Sequence, residues 1–198
     1  MDRKLVIATR NKKKLSEIKY LLRGLDVEIL SLVDFPAVPR INEIGDSFKE
    51  NAIIKAVKAA RHIEILALGE DSGLEVDALD GAPGIRSSRF SGWPKSDEKN
   101  NKKLLRLLKG VPLSRRTAAY KCAIAIADAR GLVRVVEASC PGIIGLHPQG
   151  SAGFGYDPLF IIPKYKKTFA ELGEGIKHQI SHRARAVRRI ERIIRASL

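Results

Sequence analysis

The sequence contains few residues of the kinds that stabilise small secreted proteins, and no long apolar run. It has two cysteines, Cys122 and Cys140, and one methionine in 198 residues. Neither cysteine belongs to a CxxC pair or to a Cys/His spacing, so we expect two buried, reduced thiols rather than a disulfide or a metal site. No apolar run approaches the roughly 18–20 residues that a membrane-spanning helix needs. We therefore expect no membrane association.

Acidic residues are scarce relative to basic ones. The 22 Asp and Glu residues face 36 Lys and Arg residues, which gives a formal net charge of +14. Such an excess favours polyanionic partners, so nucleotides and nucleic acids are both candidate ligands. The chain enters a charged, strand-like run at residues 4–8 too early for a signal peptide, and we expect a cytoplasmic protein.

Alternating strand and helix patterns predict the α/β fold class, with a mixed twisted sheet and flanking helices in a single domain over residues 1–198. The strand at residues 63–68 is expected to end at Glu70 and Asp71. Asp46 or Ser47 is expected to cap the second helix. The other predicted elements are strands at 4–8, 27–32 and 143–146, a hairpin of 118–127 with 132–139, and helices at 11–22, 48–62, about 97–109 and 181–196.

The first candidate site lies between the first strand and the first helix, at residues 9–14. In a strand–turn–helix arrangement the free amides at the helix start can bind a phosphate. Thr9 and Asn11 add hydrogen-bonding side chains, and Lys14 adds a positive charge. The segment lacks the glycines and the GK[ST] of a P-loop. The alternative is an ordinary helix start with a solvated lysine face.

A second candidate site is acidic, which stands out in a basic chain. Glu43, with Glu50 beyond it, and the pair Glu70 and Asp71 lie on separate predicted elements. Hard oxygen ligands of this kind suit Mg²⁺. Asp71 is instead, or in addition, a candidate proton acceptor from an attacking water. The alternative is that Glu70 and Asp71 pair with nearby arginines. Ser72 follows them without a GxSxG motif, which disfavours a serine hydrolase.

Two further segments are suited to binding a base. In residues 153–158, two glycines flank Phe154, so that the backbone can approach a ligand while the ring stacks on it. The alternative is a turn with a core phenylalanine. Further along, Ser181 is a natural helix cap that places His182 and Arg183 in the first turn of the last helix. Cations are unfavourable there, so an anion or an electron-rich base edge is expected nearby; the alternative is a structural histidine.

Taken together and in order, these segments resemble the inosine triphosphate pyrophosphatase family, the XTP/dITP diphosphatases. The resemblance covers residues 8–186. The matching segments are ATRNKKKLSEI, NEIGDSFKENAIIKA, EDSGLEVDALDGAPGIRSSRFSG, GFGYDPLF and ISHRARA.

The resemblance implies an ITPase-like fold and an Mg²⁺-dependent hydrolase. Such an enzyme cuts ITP, dITP and XTP between the α and β phosphates, releases a nucleoside monophosphate and pyrophosphate, and removes deaminated purines from the nucleotide pool. Proteins of this family are usually homodimers, and we expect the same here.

Carried over by position, the resemblance implies that Asp71 is catalytic and that Glu43 and Asp71 bind the metal. Ser72 would contact the substrate. The remaining substrate-binding residues implied by these segments are Thr9, Arg10, Asn11, Lys12, Lys13, Lys14, Phe154, Gly155, Tyr156, Asp157, Lys177, His182 and Arg183.

A basic nucleic-acid-binding protein is the alternative from a different functional class. The net charge of +14 favours it. The acidic cluster around Asp71 has no place on a surface that binds a polyanion. Nucleic acid is therefore a disfavoured partner.

Overall fold

A computed structural model describes residues 3–198 of the chain. Across these residues no helix combines the length and the apolar character needed to cross a membrane. The strands are β1 Lys4–Ile7, β2 Glu28–Ser31, β3 Ala67–Val76, β4 Thr117–Asp128, β5 Gly131–Ile144, β6 Phe160–Ile162 and β7 Lys167–Thr168. The helices are α1 Lys12–Leu21, α2 Phe48–Ile63, α3 Asp97–Leu107, α4 Phe169–Ile180 and α5 His182–Ser197.

In the described part of the chain, the strands form one seven-stranded sheet in the order β2-β1-β3-β4-β5-β6-β7. Strand β1 pairs in parallel with β2 and β3. Strand β6 pairs antiparallel with β5 and β7. The predicted α/β class with a mixed sheet is therefore confirmed.

The chain divides into two compact units. Unit 1 comprises residues 3–72, Cys122–Ala138 and Arg183–Leu198, and unit 2 comprises Gly73–Lys121 and Ser139–His182. Strands β3, β4 and β5 contribute residues to both units. A single domain over residues 1–198 stays a prediction, and its first two residues lie outside the described part of the chain.

The core of unit 1 is aliphatic. Its helices α1 and α2 each begin at a capping residue that directly precedes them in the sequence. The side chain of Asn11 caps α1, and that of Ser47 caps α2. Cys122 is a free, buried thiol of this core, as predicted. The larger apolar residues buried in this core include Leu5 and Ile7 of β1, Ile18 of α1, Leu22 directly after α1, and Val187, Ile190 and Ile194 of α5.

The core of unit 2 is aromatic. The ring of Tyr120 lies 4.5 Å from that of Phe160, which stacks on Phe169 at 5.6 Å between centroids. A reciprocal hydrogen-bonded cap formed by Thr168 and Glu171 begins α4. The sequence patterns missed α4 and the short strands β6 and β7. They also assigned residues 143–146 to a separate strand, whereas residues 143 and 144 complete β5.

Strand β3 extends further than predicted. The expectation that a strand ends at Glu70 and Asp71 is wrong, because β3 runs from Ala67 to Val76 through both acids. Strand β1, however, ends at Ile7, which is aligned with Leu68. The two acids therefore lie where β3 continues beyond the carboxyl end of its parallel neighbour, beside the start of the turn that leads to α1.

Helix α2 packs against β3 through main-chain contact at Gly69. A Cβ atom added to Gly69 would lie 2.1 Å from the carbonyl oxygen of Ala52 and 2.5 Å from the amide nitrogen of Ala56. The buried face of α2 accordingly carries four alanines, while the larger Ile53 and Val57 are only partly buried. The absence of a side chain at position 69 sets the distance between helix and strand.

We predict that Gly69→Ala lowers the free energy of unfolding by about 3 kcal/mol, because the new methyl group overlaps the backbone of α2. Urea denaturation measures the change. Gly24→Ala is the matched control, since a Cβ at Gly24 meets no atom within 4 Å. Equal urea midpoints for the two variants would contradict the prediction.

Candidate active site

The turn after β1 is shaped by its own polar side chains. The hydroxyl of Thr9 accepts a hydrogen bond from the amide of Asn11 at 3.1 Å. The side-chain oxygen of Asn11 accepts from the amides of Lys13 at 3.0 Å and Lys14 at 3.2 Å. The amides of Asn11, Lys13 and Lys14 are therefore bonded within the turn itself, and phosphate binding at this turn stays a prediction. The guanidinium of Arg10 donates to the carbonyl of Val38 at 2.8 Å.

Glu70 is a buried carboxylate held between two cations of unit 1. Its Oε2 lies 2.8 Å from the ammonium of Lys14, and its Oε1 accepts from Nη2 of Arg183 at 3.0 Å. Burial alone would raise the pKa of Glu70, but Lys14, Arg183 and Lys55 hold it well below its usual range. Glu70 is therefore ionised, and the alternative reading, pairing with a nearby arginine, is confirmed for this residue.

Arg183 is only 1% exposed and binds more than one carboxylate. It pairs with Glu17 of α1 as well as with Glu70, and its Nη2 donates to the hydroxyl of Ser72 at 3.0 Å. Two carboxylates of the chain itself, Glu17 and Glu70, supply the negative charge beside Arg183 at the start of the last helix. Contact between Arg183 and a base stays a prediction.

Asp71 and Glu43 converge on the ammonium of Lys55. This nitrogen lies 2.9 Å from Oδ1 of Asp71 and 2.8 Å from Oε1 of Glu43. The contact between α2 and β3 at Gly69 places Lys55 beside Asp71, because Lys55 lies on the same buried face of α2 as Ala52 and Ala56. The two carboxylates predicted to bind a metal are therefore brought together around one positive charge.

The protonation of this cluster reflects both burial and charge. Burial raises the pKa of Asp71 above its ordinary value, and the nearby charges of Lys55 and Lys14 offset only part of this effect. Burial alone would lower the pKa of Lys55, but Asp71, Glu43 and Glu70 raise it. Lys55 is thus a permanent cation, whereas Asp71 accepts a proton more readily than an exposed aspartate does.

Sequence reasoning missed Lys55, although the residue lies inside one of the matching segments. The sequence contains one signal for it. Lys55 lies on the face of α2 that carries the small residues Ala52, Ala56 and Ala59. A buried lysine needs a negative partner. The partners lie 12 and 16 positions away along the chain, outside the reach of helical spacing.

The donor set of unit 1 fits a magnesium ion. In residues 3–198 no group of three His, Cys, Asp or Glu side chains forms a ready metal cage. Mg²⁺ is usually bound by one or two carboxylates together with substrate phosphates and waters, so a complete protein cage is not needed. Glu43 and Asp71 supply two oxygen donors that already contact one cation.

A second cluster, in unit 2, is centred on Asp157. Asp157 is only 1% exposed. Its carboxylate accepts hydrogen bonds from the ammonium of Lys177 at 2.6 Å, from the amide of Phe154 at 2.9 Å and from the hydroxyl of Tyr120 at 3.2 Å. The ammonium of Lys177 also lies 4.4 Å from the centre of the Phe154 ring. Asp157 therefore fixes the turn at residues 153–157, and Lys177 supports the ring of Phe154 on one side.

Two more predicted residues complete this cluster. The ring of His182 stacks on Tyr120, with 4.7 Å between centroids. The hydroxyl of buried Tyr156 donates to the carbonyl of Ser87 at 2.9 Å. Burial, and then the charge of Asp97, raise the pKa of Tyr156 above its ordinary value. Tyr156 thus acts as a neutral hydrogen-bond donor that anchors the turn.

The predicted site residues fall into two groups. The lysines at positions 12 and 13 are exposed on the first turn of α1. Unit 1 contains Thr9, Arg10, Asn11, Lys12, Lys13, Lys14, Glu43, Asp71, Ser72 and Arg183. Unit 2 contains Phe154, Gly155, Tyr156, Asp157, Lys177 and His182.

The fold is similar to that of solved HAM1 proteins. A HAM1 protein from Coxiella burnetii matches with a TM-score of 0.88 and 37% sequence identity, over 98% of this chain and 99% of that one. The Ham1 protein of Staphylococcus aureus matches with a TM-score of 0.88 and 35% identity, over 99% and 100% of the two chains. The chain is thus an α/β protein of the HAM1 structural class.

Sequence comparison gives the family. The dITP/XTP pyrophosphatase of Desulforamulus reducens is 50% identical over 191 residues, which cover 96% of this chain and 95% of that protein. The one of Geobacillus kaustophilus is 47% identical over 189 residues, 96% and 93% of the two chains. A model described as Ham1 family matches residues 5–193. The chain belongs to the Ham1 family, which confirms the resemblance found in its segments. Nothing in these comparisons supports the nucleic-acid-binding alternative.

We predict that the buried charge of Glu70 makes folding stability depend on pH. Because its folded pKa is depressed, Glu70 contributes stability that is fully present above its unfolded pKa, near 4.5, and is lost as the pH falls towards the folded pKa. Glu70→Gln should therefore be about 3–5 kcal/mol less stable than the wild type at pH 7, since Lys14 and Arg183 lose a buried partner.

Urea denaturation of both proteins from pH 7 down to pH 3 measures the difference. The gap between them should shrink as the pH falls below about 4.5, where Glu70 of the unfolded chain takes up a proton while Glu70 of the folded protein stays charged. A gap that stays constant over this range would show that the charge of Glu70 is not the source of the stability.

Proposed function

We propose that this protein hydrolyses nonstandard purine nucleoside triphosphates, ITP, dITP and XTP, to nucleoside monophosphate and pyrophosphate, and so removes deaminated purines from the nucleotide pool. The observation that carries the proposal is the similarity, over 96% of the chain, to a protein named dITP/XTP pyrophosphatase. The carboxylate and lysine centre of unit 1 is the part of the molecule suited to this chemistry.

Charge neutralisation and positioning supply most of the acceleration in phosphoryl transfer. Among the lysines in the first turn of α1, Lys14 is the one that reaches the acidic centre. Its side chain is partly buried, and its ammonium lies 2.8 Å from the carboxylate of Glu70. We assign it to the phosphates, together with the turn residues Thr9 and Asn11. Glu70 and Arg183 keep Lys14 and Ser72 in place, since Arg183 contacts both Glu70 and the hydroxyl of Ser72.

Asp71 is assigned as the group that takes a proton from the attacking water. General bases work best when their pKa lies nearer the working pH than that of a free aspartate. The upward shift of the pKa of Asp71, caused by burial, is in this direction. Lys55 holds the carboxylate by one oxygen, Oδ1, at 2.9 Å, and so fixes its orientation.

Mg²⁺ is the metal that suits this centre, with Glu43 and Asp71 as its protein ligands. When bound, it would neutralise charge on the phosphates. Before binding, Lys55 balances the two carboxylates. The remaining ligands of the metal would come from phosphate oxygens and water.

Recognition of the base is assigned to unit 2. Phe154, supported from one side by Lys177, offers a ring for stacking. Lys177 and His182 are the side chains of unit 2 assigned to the base and its surroundings. A donor directed at the 6-oxo group would face the amino group of adenine, and buried mismatches of that kind discriminate strongly between substrates. The proposal therefore expects ATP to be a poor substrate.

We also propose that the protein is a cytoplasmic homodimer. The homodimer rests on the family resemblance of the sequence, and the location rests on the nucleotide pool in which such an enzyme works. Light scattering coupled to size-exclusion chromatography would give the mass, which for a dimer is twice the 21.8 kDa of the chain.

We predict that Asp71→Asn lowers kcat for ITP by about 10²–10⁴-fold while the fold is retained, because the proton acceptor is lost and the shape is kept. Pyrophosphate release from ITP, dITP, XTP, GTP, ATP and dUTP measures activity and selectivity. Asp77→Asn, an exposed aspartate after β3, is the control and should match the wild type. Turnover of ATP or dUTP by the wild type as fast as that of ITP would sink the proposed substrate class.

We predict that EDTA abolishes turnover and that Mg²⁺ restores it. In Glu43→Gln, the Mg²⁺ concentration for half-maximal rate should rise at least about tenfold, since even groups outside the ligand shell commonly cost that much affinity. Glu64→Gln, at the exposed C-terminal end of α2, should leave it unchanged. Full activity in EDTA would rule out the metal assignment.

A further inference from the structure

We propose that Asp97 and Asn101 of α3 are positioning residues that clamp the peptide groups of Gly155 and thereby tune the selectivity of the enzyme for its base. The inference rests on the proposed function for its consequence, but the clamp itself is a feature of unit 2. Neither residue belongs to the segments that carry the sequence resemblance. We call this pair of residues the α3 clamp.

The α3 clamp binds both backbone polar groups of one residue. The carboxylate Oδ2 of Asp97 accepts from the amide of Gly155 at 2.9 Å. The side-chain amide of Asn101 donates to the carbonyl of Gly155 at 3.0 Å. The two side chains are four positions apart, so they lie on the same face of α3. Gly155 has a φ of 65°, in the left-handed region, and the clamp holds both groups of this residue from outside the turn.

Helix α3 is itself fixed to a neighbouring loop by the residue next to Asn101. Asn100 is 2% exposed. It accepts from the amide of Ser91 at 2.7 Å and donates to the carbonyls of Ser87 and Ser88. Tyr156, which follows Gly155, donates to that same carbonyl of Ser87. Helix, loop and turn therefore form a closed hydrogen-bonded network.

This network bears on the base because of where Gly155 lies. It separates Phe154, assigned to stacking, from Tyr156, which anchors the turn. Within the turn, Asp157 holds the amide of Phe154, while Lys177 contacts the Phe154 ring. Asp97 and Asn101 add hydrogen bonds to the next residue of the turn, Gly155. The clamp therefore holds the turn from α3, in addition to the hold of Asp157 on Phe154.

A looser turn would hold the ring of Phe154 less accurately. Contacts that position a substrate are sensitive to a misplacement of about 1 Å. Stacking itself is tolerant of base identity. Hydrogen bonds to the base edge discriminate between bases, and they depend on where the stacked base lies. Loss of the clamp should therefore weaken binding of the preferred base more than that of poor substrates.

The test compares Asp97→Ala and Asn101→Ala with the wild type in steady-state kinetics on ITP and ATP. We expect KM for ITP to rise about three- to tenfold in each variant, the range that loss of one hydrogen bond to a charged or neutral partner gives. We expect kcat to change by less than about twofold and the ratio of kcat/KM for ITP over ATP to fall. Asp97→Asn, which keeps an accepting oxygen, should restore most of the wild-type KM.

Glu98→Ala is the matched control. It removes the same charge from the same turn of α3, but Glu98 pairs with Lys102 and not with the turn. It should leave KM and selectivity unchanged. An equal effect in Glu98→Ala would assign the change to helix charge and overturn the clamp. So would unchanged KM and selectivity in the two clamp variants, or a fall in kcat alone.

Amide hydrogen exchange at Gly155, followed by NMR, tests the clamp without any substrate. The amide should exchange at least about tenfold faster in Asp97→Ala than in the wild type and in Glu98→Ala, because its acceptor is gone. If the wild type fails to hydrolyse ITP, the proposed function fails, and exchange alone decides the clamp. Equal exchange rates in all three proteins would overturn it.

Discussion

Glu70 carries a negative charge at a position that is only 2% exposed to solvent, and much of unit 1 is arranged to compensate it. Lys14 reaches it from α1 and Arg183 from α5, while the thiol of Cys122 approaches from β4 at 3.7 Å. Through Arg183 the same network includes Glu17. A buried ion is tolerated only when its partners are closely placed. The charge therefore ties three secondary-structure elements to β3 and fixes the first turn of α1.

The two units use different physical means to hold their functional side chains. In unit 1, full charges of opposite sign surround one another, and position follows from Coulombic attraction in a place with little water. In unit 2, the side chains are held by aromatic stacking and by hydrogen bonds to the carboxylate of Asp157, which also forms one ion pair, with Lys177. The first arrangement suits the transfer of a charged phosphoryl group. The second suits discrimination between flat heterocycles that differ by one polar group.

Features set by neighbouring residues could be predicted from the sequence, and features set by distant residues could not. Asn11 and Ser47 cap their helices through contacts with residues two or three positions further on. The predicted start of α2 is therefore confirmed, and that of α1 is one residue too early. The burial of Lys55 depends on Glu43 and Asp71, which approach it only after folding. Strand β6 has three residues, and α4 contains a glycine with a φ of 73°, so neither gives a clear periodic pattern. The acids of β3 were placed at a strand end because charged residues seldom continue a buried strand.

The contact at Gly69 has a consequence for how much of this sequence can change. At Gly69 the distance between α2 and β3 is set by contact between their two main chains. That distance does not depend on a side-chain rotamer or on a surface residue. The separation of Lys55 from Asp71 is thus inherited from the backbone. Substitutions at solvent-facing positions of α2 therefore leave that separation unchanged. Two proteins can differ at nearly two-thirds of their positions and keep the same frame, as the 35% identical Staphylococcus aureus protein does at a TM-score of 0.88.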